Sequence, residues 1–135
     1  MTVKDTIKQQ IKQAIADKYG LKKVEFQVDY PPREEMGDYS ANVAMILAKQ
    51  LKSNPLEIGQ TIAKQIKHKM FEKVEVVKPG FINFYLSQAW AAEQVRNILK
   101  QSKKYGSGQQ GRGQTIVIDY SAPNIAKKMH VGHLR

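Results

Sequence analysis

The sequence has 135 residues, enough for one compact domain with a core of its own and too few for two full ones. Hydrophobic residues make up 41% and charged residues 25%, as in ordinary globular proteins, but 22 Lys+Arg against 12 Asp+Glu leave a net charge of +10, which favours a polyanionic partner without separating RNA from DNA or from an anionic membrane. The lack of cysteine excludes a disulfide framework and any thiolate metal site, no apolar run is long enough to cross a bilayer, and the opening MTVKDTIKQQ is not a signal peptide, so a cytoplasmic location is expected.

Val3, Ile7, Ile11 and Ile15 recur every four residues with Lys and Gln between them, which predicts a helix. Thr2 with Asp5 makes a capping-box pattern and Gly20 is a natural stop. The lysines of this segment are either an RNA-facing surface or a solvated helix face, and the second is the commoner meaning of such a pattern. Residues 23–30 alternate, with Val24, Phe26 and Val28 on one face of a half-buried strand that Pro31 and Pro32 end. Asp38 is read as opening a second helix, with Val43, Leu47 and Leu51 as its apolar stripe. Asn54, Pro55 and Glu57 give a clear start to a third, whose stripe is Ile58, Ile62 and Ile66. Residues 74–78 and 81–86 form two strands joined by Pro79-Gly80, a pair suited to the centre of a type II turn. Ser87 caps a fourth helix, with Ala91, Val95, Ile98 and Leu99 inward and Trp90 as a packing residue.

Residues 101–114 (QSKKYGSGQQGRGQ) are Gly-rich, polar and basic, and read as a linker in which Lys103, Lys104 and Arg112 are available to phosphate. Gly106, Gly108 and Gly111 match G-x-G-x-x-G by count, but they precede a strand and open no helix, so the dinucleotide reading fails. Residues 115–120 form a short apolar run typical of a strand buried on both faces, the kind that starts a parallel α/β sheet. A loop and His130-Val131-Gly132-His133 follow. A glycine that lets a nucleotide approach the backbone, with two imidazoles at a helix start, suits phosphate charge. A zinc site at His130 and His133 would have two nitrogen ligands and no third, and a bare His-x-x-His is commonly incidental. His68 reads as a surface or packing residue.

The expected fold is α+β. A small antiparallel sheet packs with about four helices over residues 1–100, the basic linker covers 101–114, and 115–135 supply the first strand and loop of a Rossmann-like domain left unfinished.

Residues 119–135, DYSAPNIAKKMHVGHLR, closely resemble the first signature of class I aminoacyl-tRNA synthetases in the form arginyl-tRNA synthetases carry it. The stretches GDYSANVA at 37–44 and PGFINF at 79–84 resemble the amino-terminal extension of the same family, so the resemblance spans nearly the whole chain. It implies the amino-terminal piece of an enzyme that ligates arginine to tRNA using ATP and magnesium, ending inside the ATP-binding signature and therefore inactive alone. ATP contacts are implied for His130, Gly132 and His133, and Lys127 would meet the α-phosphate region; His130, His133 and Lys127 are thus the catalytic candidates. Asp119 and Asn124 would hold the arginine substrate, joined by Ser121, the carboxylate pairing a cationic group on it. No metal held by protein ligands is expected. The implied partner is arginine tRNA, not DNA or a membrane. The run 115–120 would join the sheet edge, associate with another chain or be mobile.

In residues 81–86 a period of two puts Ile82, Phe84 and Leu86 on one face, which is core, and Phe81, Asn83 and Tyr85 on the other. Aromatic rings beside an amide suit the stacking and edge-reading of an unstacked base, and they also suit a face packed beneath helices. The family resemblance implies that Phe81 and Asn83 take a splayed base of the tRNA D-loop near the elbow, and it leaves Tyr85 open. A free-standing basic RNA-binding module is the second reading of the chain, and a metal-dependent protein using His130 and His133 is the third.

Overall fold

Helix α1 (Val3–Tyr19) begins as its sequence dictates. Thr2 Oγ1 accepts from Asp5 N at 3.2 Å while Asp5 Oδ2 accepts from Thr2 N at 2.9 Å, which closes a capping box. Its buried stripe is Ile7, Ile11, Ala14 and Ile15. This computed structural model describes residues 2–109, 111–120, 128, 130 and 131, and divides into two units, Met1–Ser102 and Lys103–Arg135.

The first unit is built on four antiparallel strands: β1 (Val28–Asp29), β2 (Tyr39–Ala41), β3 (Phe71–Val77) and β4 (Phe81–Leu86), in the order β1-β2-β4-β3. Register sorts the side chains into two rows. Val28, Ala41, Ile82 and Val76 stand side by side on one face, and Asp29, Ser40, Asn83 and Glu75 on the other. The apolar row packs against α1, α2 (Val43–Leu51) and α3 (Pro55–Gln65). Phe84, Ile82, Ile7, Ile11, Ile15, Leu47 and Ile62 are fully enclosed there, each such burial contributing about 1.5–3 kcal/mol.

Several elements differ from their expected form. In the segment 23–30 only Val28 and Asp29 are strand, because three-residue β2 offers a short ladder; Val24 and Val28 are nevertheless buried. Asp38 opens no helix. Residues 39–41 are strand, α2 starts at Val43, and the Asp38 carboxylate accepts from Leu86 N at 2.7 Å instead. The hairpin turn is not type II. Gly80 N donates to Val77 O at 2.8 Å, so Lys78 and Pro79, joined by a cis peptide, are its central residues. Gly80 takes the last position at φ +147°, where a Cβ would lie 2.8 Å from Pro55 Cβ, so glycine lets the hairpin approach the start of α3. Asn54 caps α3 as expected, accepting from Leu56 N at 2.9 Å.

Ser87 caps helix α4 (Gln88–Gln101), but α4 buries none of its residues. Ala91, Val95, Ile98 and Leu99, expected inward, are exposed, and nothing among the described residues covers them. The amphipathic spacing reveals a face that seeks cover and does not supply it.

In the second unit, Ser107 N donates to Lys104 O, Arg112 N to Gln109 O and Gln114 N to Gly111 O, giving successive turns. The run 115–120 belongs to no strand, and Ile116, Val117 and Ile118 are exposed. A strand needs a ladder partner, and none is offered among the described residues. No helix among them is long and apolar enough to cross a membrane.

Candidate nucleic-acid interface

The sheet face away from the helices carries the polar row, and part of it is covered. The connection from β1 to β2, through Tyr30, Pro31, Pro32 and a 3-10 turn at Glu34–Met36, folds over that face. Beneath it lies a cavity of about 370 Å³ lined by Phe81, Asn83, Ser40, Asn42, Gln27 and Asp29, with Tyr30, Pro31, Pro32 and Met36 forming one wall.

Asn83 is buried, 2% exposed. Ser40, its register partner, donates from Oγ to Asn83 Oδ1 at 2.7 Å. The Asn83 amide N–H donors have no protein partner among the described residues, and since no side-chain nitrogen or oxygen among those residues is both buried and unpartnered, these donors keep access to the cavity. Phe81, two residues away on the same face, stands at the rim at 37% exposure. An aromatic surface and an oriented amide thus meet at one cavity.

Two devices hold the wall. Gly37, at φ +95°, lies so close to β4 that a Cβ would sit 2.8 Å from Phe84 O. Asp38 N donates to that same Phe84 O at 2.9 Å, and the Asp38 carboxylate takes Leu86 N. The second device is Tyr85, whose hydroxyl lies 3.0 Å from Glu35 O and 3.3 Å from Glu75 Oε2. Lys73 Nζ reaches Glu75 Oε2 at 2.7 Å, and this bond holds the Glu75 carboxyl below the usual carboxylate range and raises the lysine. Tyr30 stacks on Tyr39 at 5.2 Å between centroids; burial, then the Tyr30 hydroxyl, pushes the Tyr39 phenol up.

The candidate residues separate accordingly. Phe81 and Asn83 share the cavity. Tyr85 occupies the same sheet face but lines no part of the cavity, its hydroxyl committed to the covering loop. Asp119 and His130 are described and exposed. Ser121, Asn124, Lys127, Gly132 and His133 lie outside the described residues. No cluster of three metal-ligating side chains occurs among the described residues. His68 is a packing residue: its Nδ1 accepts from Met70 N at 3.2 Å and its ring lies 6.0 Å from that of Phe71.

Sequence reasoning missed Ser40, Gln27, Asn42 and the wall residues Tyr30 and Met36. Only register pairs Ser40 with Asn83, and register is set by the whole sheet. The stretch 37–44 carries the available signal, since it holds both Ser40 and Asn42.

Known proteins identify the combination. Residues 4–86, more than half of the chain, match the family described as "Arginyl tRNA synthetase N terminal domain", and residues 94–135 match "tRNA synthetases class I (R), catalytic domain". Fold and sequence therefore define an amino-terminal domain of a class I aminoacyl-tRNA synthetase, followed by the opening of its catalytic domain. The chain belongs to the arginyl-tRNA synthetase family. It is 40% identical over 132 residues to the arginine–tRNA ligase of Thermotoga maritima, covering 97% of this chain and 24% of that one. It is 46% identical over 113 residues to that of Haemophilus ducreyi, covering 83% and 20%. The structure of arginyl-tRNA synthetase from Plasmodium falciparum shares the fold, with a TM-score of 0.69 at 24% identity over 98% of this chain and 26% of that one. The chain spans about a quarter of the length of the curated relatives it matches.

Proposed function

We propose that the cavity of the first unit takes an unpaired base of arginine tRNA, from the D-loop near the elbow of the molecule. The carrying observation is Asn83: buried, with its oxygen bonded to Ser40 and its N–H donors unpartnered among the described residues, beside a half-exposed phenylalanine ring. Such a base would stack on Phe81 and offer an acceptor edge to the amide. Tyr85 acts through the covering loop. The surplus of 22 basic over 12 acidic residues supplies the non-specific attraction. Domain limits of 1–100, 101–114 and 115–135 suit this division of labour.

In the whole protein the second unit would begin the site that activates arginine with ATP and magnesium and passes it to tRNA. His130, His133, Gly132 and Lys127 would hold the ATP phosphates, and Asp119, Ser121 and Asn124 the arginine. Donors placed against developing phosphate charge work only in a preorganised site, so these 135 residues alone should not perform the reaction. An arginine-dependent ATP–pyrophosphate exchange assay should give no signal, and robust exchange would overturn that statement.

For the binding function, the chain is titrated with arginine tRNA and with an unrelated tRNA of equal length at one salt concentration. Arginine tRNA should bind modestly tighter, and Phe81→Ala should weaken it by roughly 5- to 150-fold, from about 1–3 kcal/mol per stacked base. Equal affinity for both tRNAs, unchanged by Phe81→Ala, would favour the free-standing basic module.

A further inference from the structure

Helix α1 carries Lys4, Lys8 and Lys12 at intervals of four, so they form one row, with successive members about 6 Å apart along the axis. Like charges at this spacing repel and weaken a helix; Asp5, three residues before Lys8, is the one acid at helical spacing from Lys8 or Lys12, and it feels the Lys8 charge while its carboxylate is bonded to Thr2. Lys4 is committed: its Nζ lies 3.5 Å from Asp29 and 4.5 Å from the centroid of the Tyr30 ring, both residues of the cavity beside Phe81 and Asn83. Lys8 and Lys12 have no salt bridge among the described residues. The row therefore starts at the cavity rim and leads away from it with two lysines that no salt bridge among the described residues ties down.

A groove accompanies it. Lys8 and Lys12 line a second cavity of about 520 Å³ together with Gln27 and Asn42, and those last two also line the cavity beside Phe81 and Asn83. The two shared residues are themselves joined, Gln27 N donating to Asn42 Oδ1 at 3.2 Å. On the other flank of the same two lysines a further hollow brings in Lys22. Glu25 and Asp5 are the acids lining these hollows; the Asp5 carboxylate is turned to Thr2 in the capping box.

We infer that Lys8 and Lys12, with Lys22 behind them, bind the sugar–phosphate backbone of the same RNA strand whose base enters the cavity beside Phe81. This rests on the base-binding reading proposed above. Two flexible lysines one helical turn apart can reach neighbouring phosphates of an unstacked strand, and polar Gln27 and Asn42 line both hollows. A membrane surface is a poorer fit, because the apolar residues Ile7, Ile11 and Ile15 of this helix are buried and none remains to insert.

The test is fluorescence anisotropy with labelled arginine tRNA over a series of salt concentrations. It compares the 135-residue chain, Lys8→Ala/Lys12→Ala, and a control, Lys64→Ala/Lys67→Ala, at two exposed lysines that line neither cavity. Alanine favours helix, so folding is not at risk in the first variant. Each tRNA is also made with single abasic positions in the D-loop. Lys8→Ala/Lys12→Ala should weaken binding about tenfold and flatten the slope of log affinity against log salt by roughly 1.4–1.8, two phosphates' worth, while keeping the preference for an intact loop base. The control should change the slope far less. Unchanged affinity and slope, or an equal loss in the control, would overturn the backbone assignment. Loss of binding to phosphatidylserine vesicles in the first variant, with tRNA affinity intact, would also overturn it in favour of a lipid surface. If the unaltered chain ignores every abasic position while the slope still flattens, the base-binding reading fails, and with it the claim that both contacts belong to one strand.

Discussion

Ser40 and Asn83 face each other across β2 and β4, and the Ser40 hydroxyl donates to Asn83 Oδ1 at 2.7 Å. This bond fixes which end of a buried amide is a donor toward the cavity. Without it the amide could present either edge, and its discrimination between donor and acceptor edges of a base would be lost.

Ser40→Ala should therefore cost about 1–2 kcal/mol of folding stability, because it strips a partner from a buried acceptor. Urea denaturation reads the loss, and tRNA titration should show weaker binding at the same time. A variant as stable and as tight as the parent chain would mean that the bond neither supports the fold nor orients Asn83.

Tyr85 is predicted to act on the covering loop. Tyr85→Phe keeps the ring and removes the bonds to Glu35 O and Glu75, for a loss of about 1 kcal/mol. Amide hydrogen exchange at residues 34–38 should quicken, with a smaller fall in tRNA affinity than Phe81→Ala produces. Unaltered exchange with a full loss of affinity would make Tyr85 a direct contact instead.

Gly37 should tolerate no side chain. At φ +95°, with Phe84 O 2.8 Å from an added Cβ, Gly37→Ala should cost about 1–3 kcal/mol or displace the loop. Thermal melting checks this, and an unchanged melting temperature would contradict the close approach.

Much of this was legible in advance. The capping box of α1, the Asn54 start of α3 and the isoleucine stripes depend on neighbours in sequence, and they form as read. What failed depends on distant partners. Residues 39–41 read as the lead of a helix because nothing local reveals that β4 lies beside them, and α4 reads as half-buried because its stripe promises a neighbour. Phe81 and Asn83 were visible through the period of the strand. Their cavity was not, because Ser40, Asn42 and the loop from Tyr30 to Met36 reach it only through sheet register.

Acid should loosen the fold through two carboxylates. The Asp5 carboxyl is held down by Thr2 N–H and the Glu75 carboxyl by Lys73. A depressed carboxylate contributes stability that is present above its unfolded-state value and lost as pH falls through its folded-state value. Melting temperatures of the parent chain and of Asp5→Asn/Glu75→Gln should differ near neutrality and draw together as pH falls below the ordinary carboxylate range. A gap that stayed constant down the series would show that neither charge contributes.

The most direct test of the central claim is a double-mutant cycle between Phe81→Ala and removal of each D-loop base of arginine tRNA, measured as binding free energies at fixed salt. If the cavity takes a base, one abasic position should weaken the parent chain and have little further effect on the Phe81→Ala chain, a coupling of about 1–3 kcal/mol. Strict additivity at every position would contradict the claim.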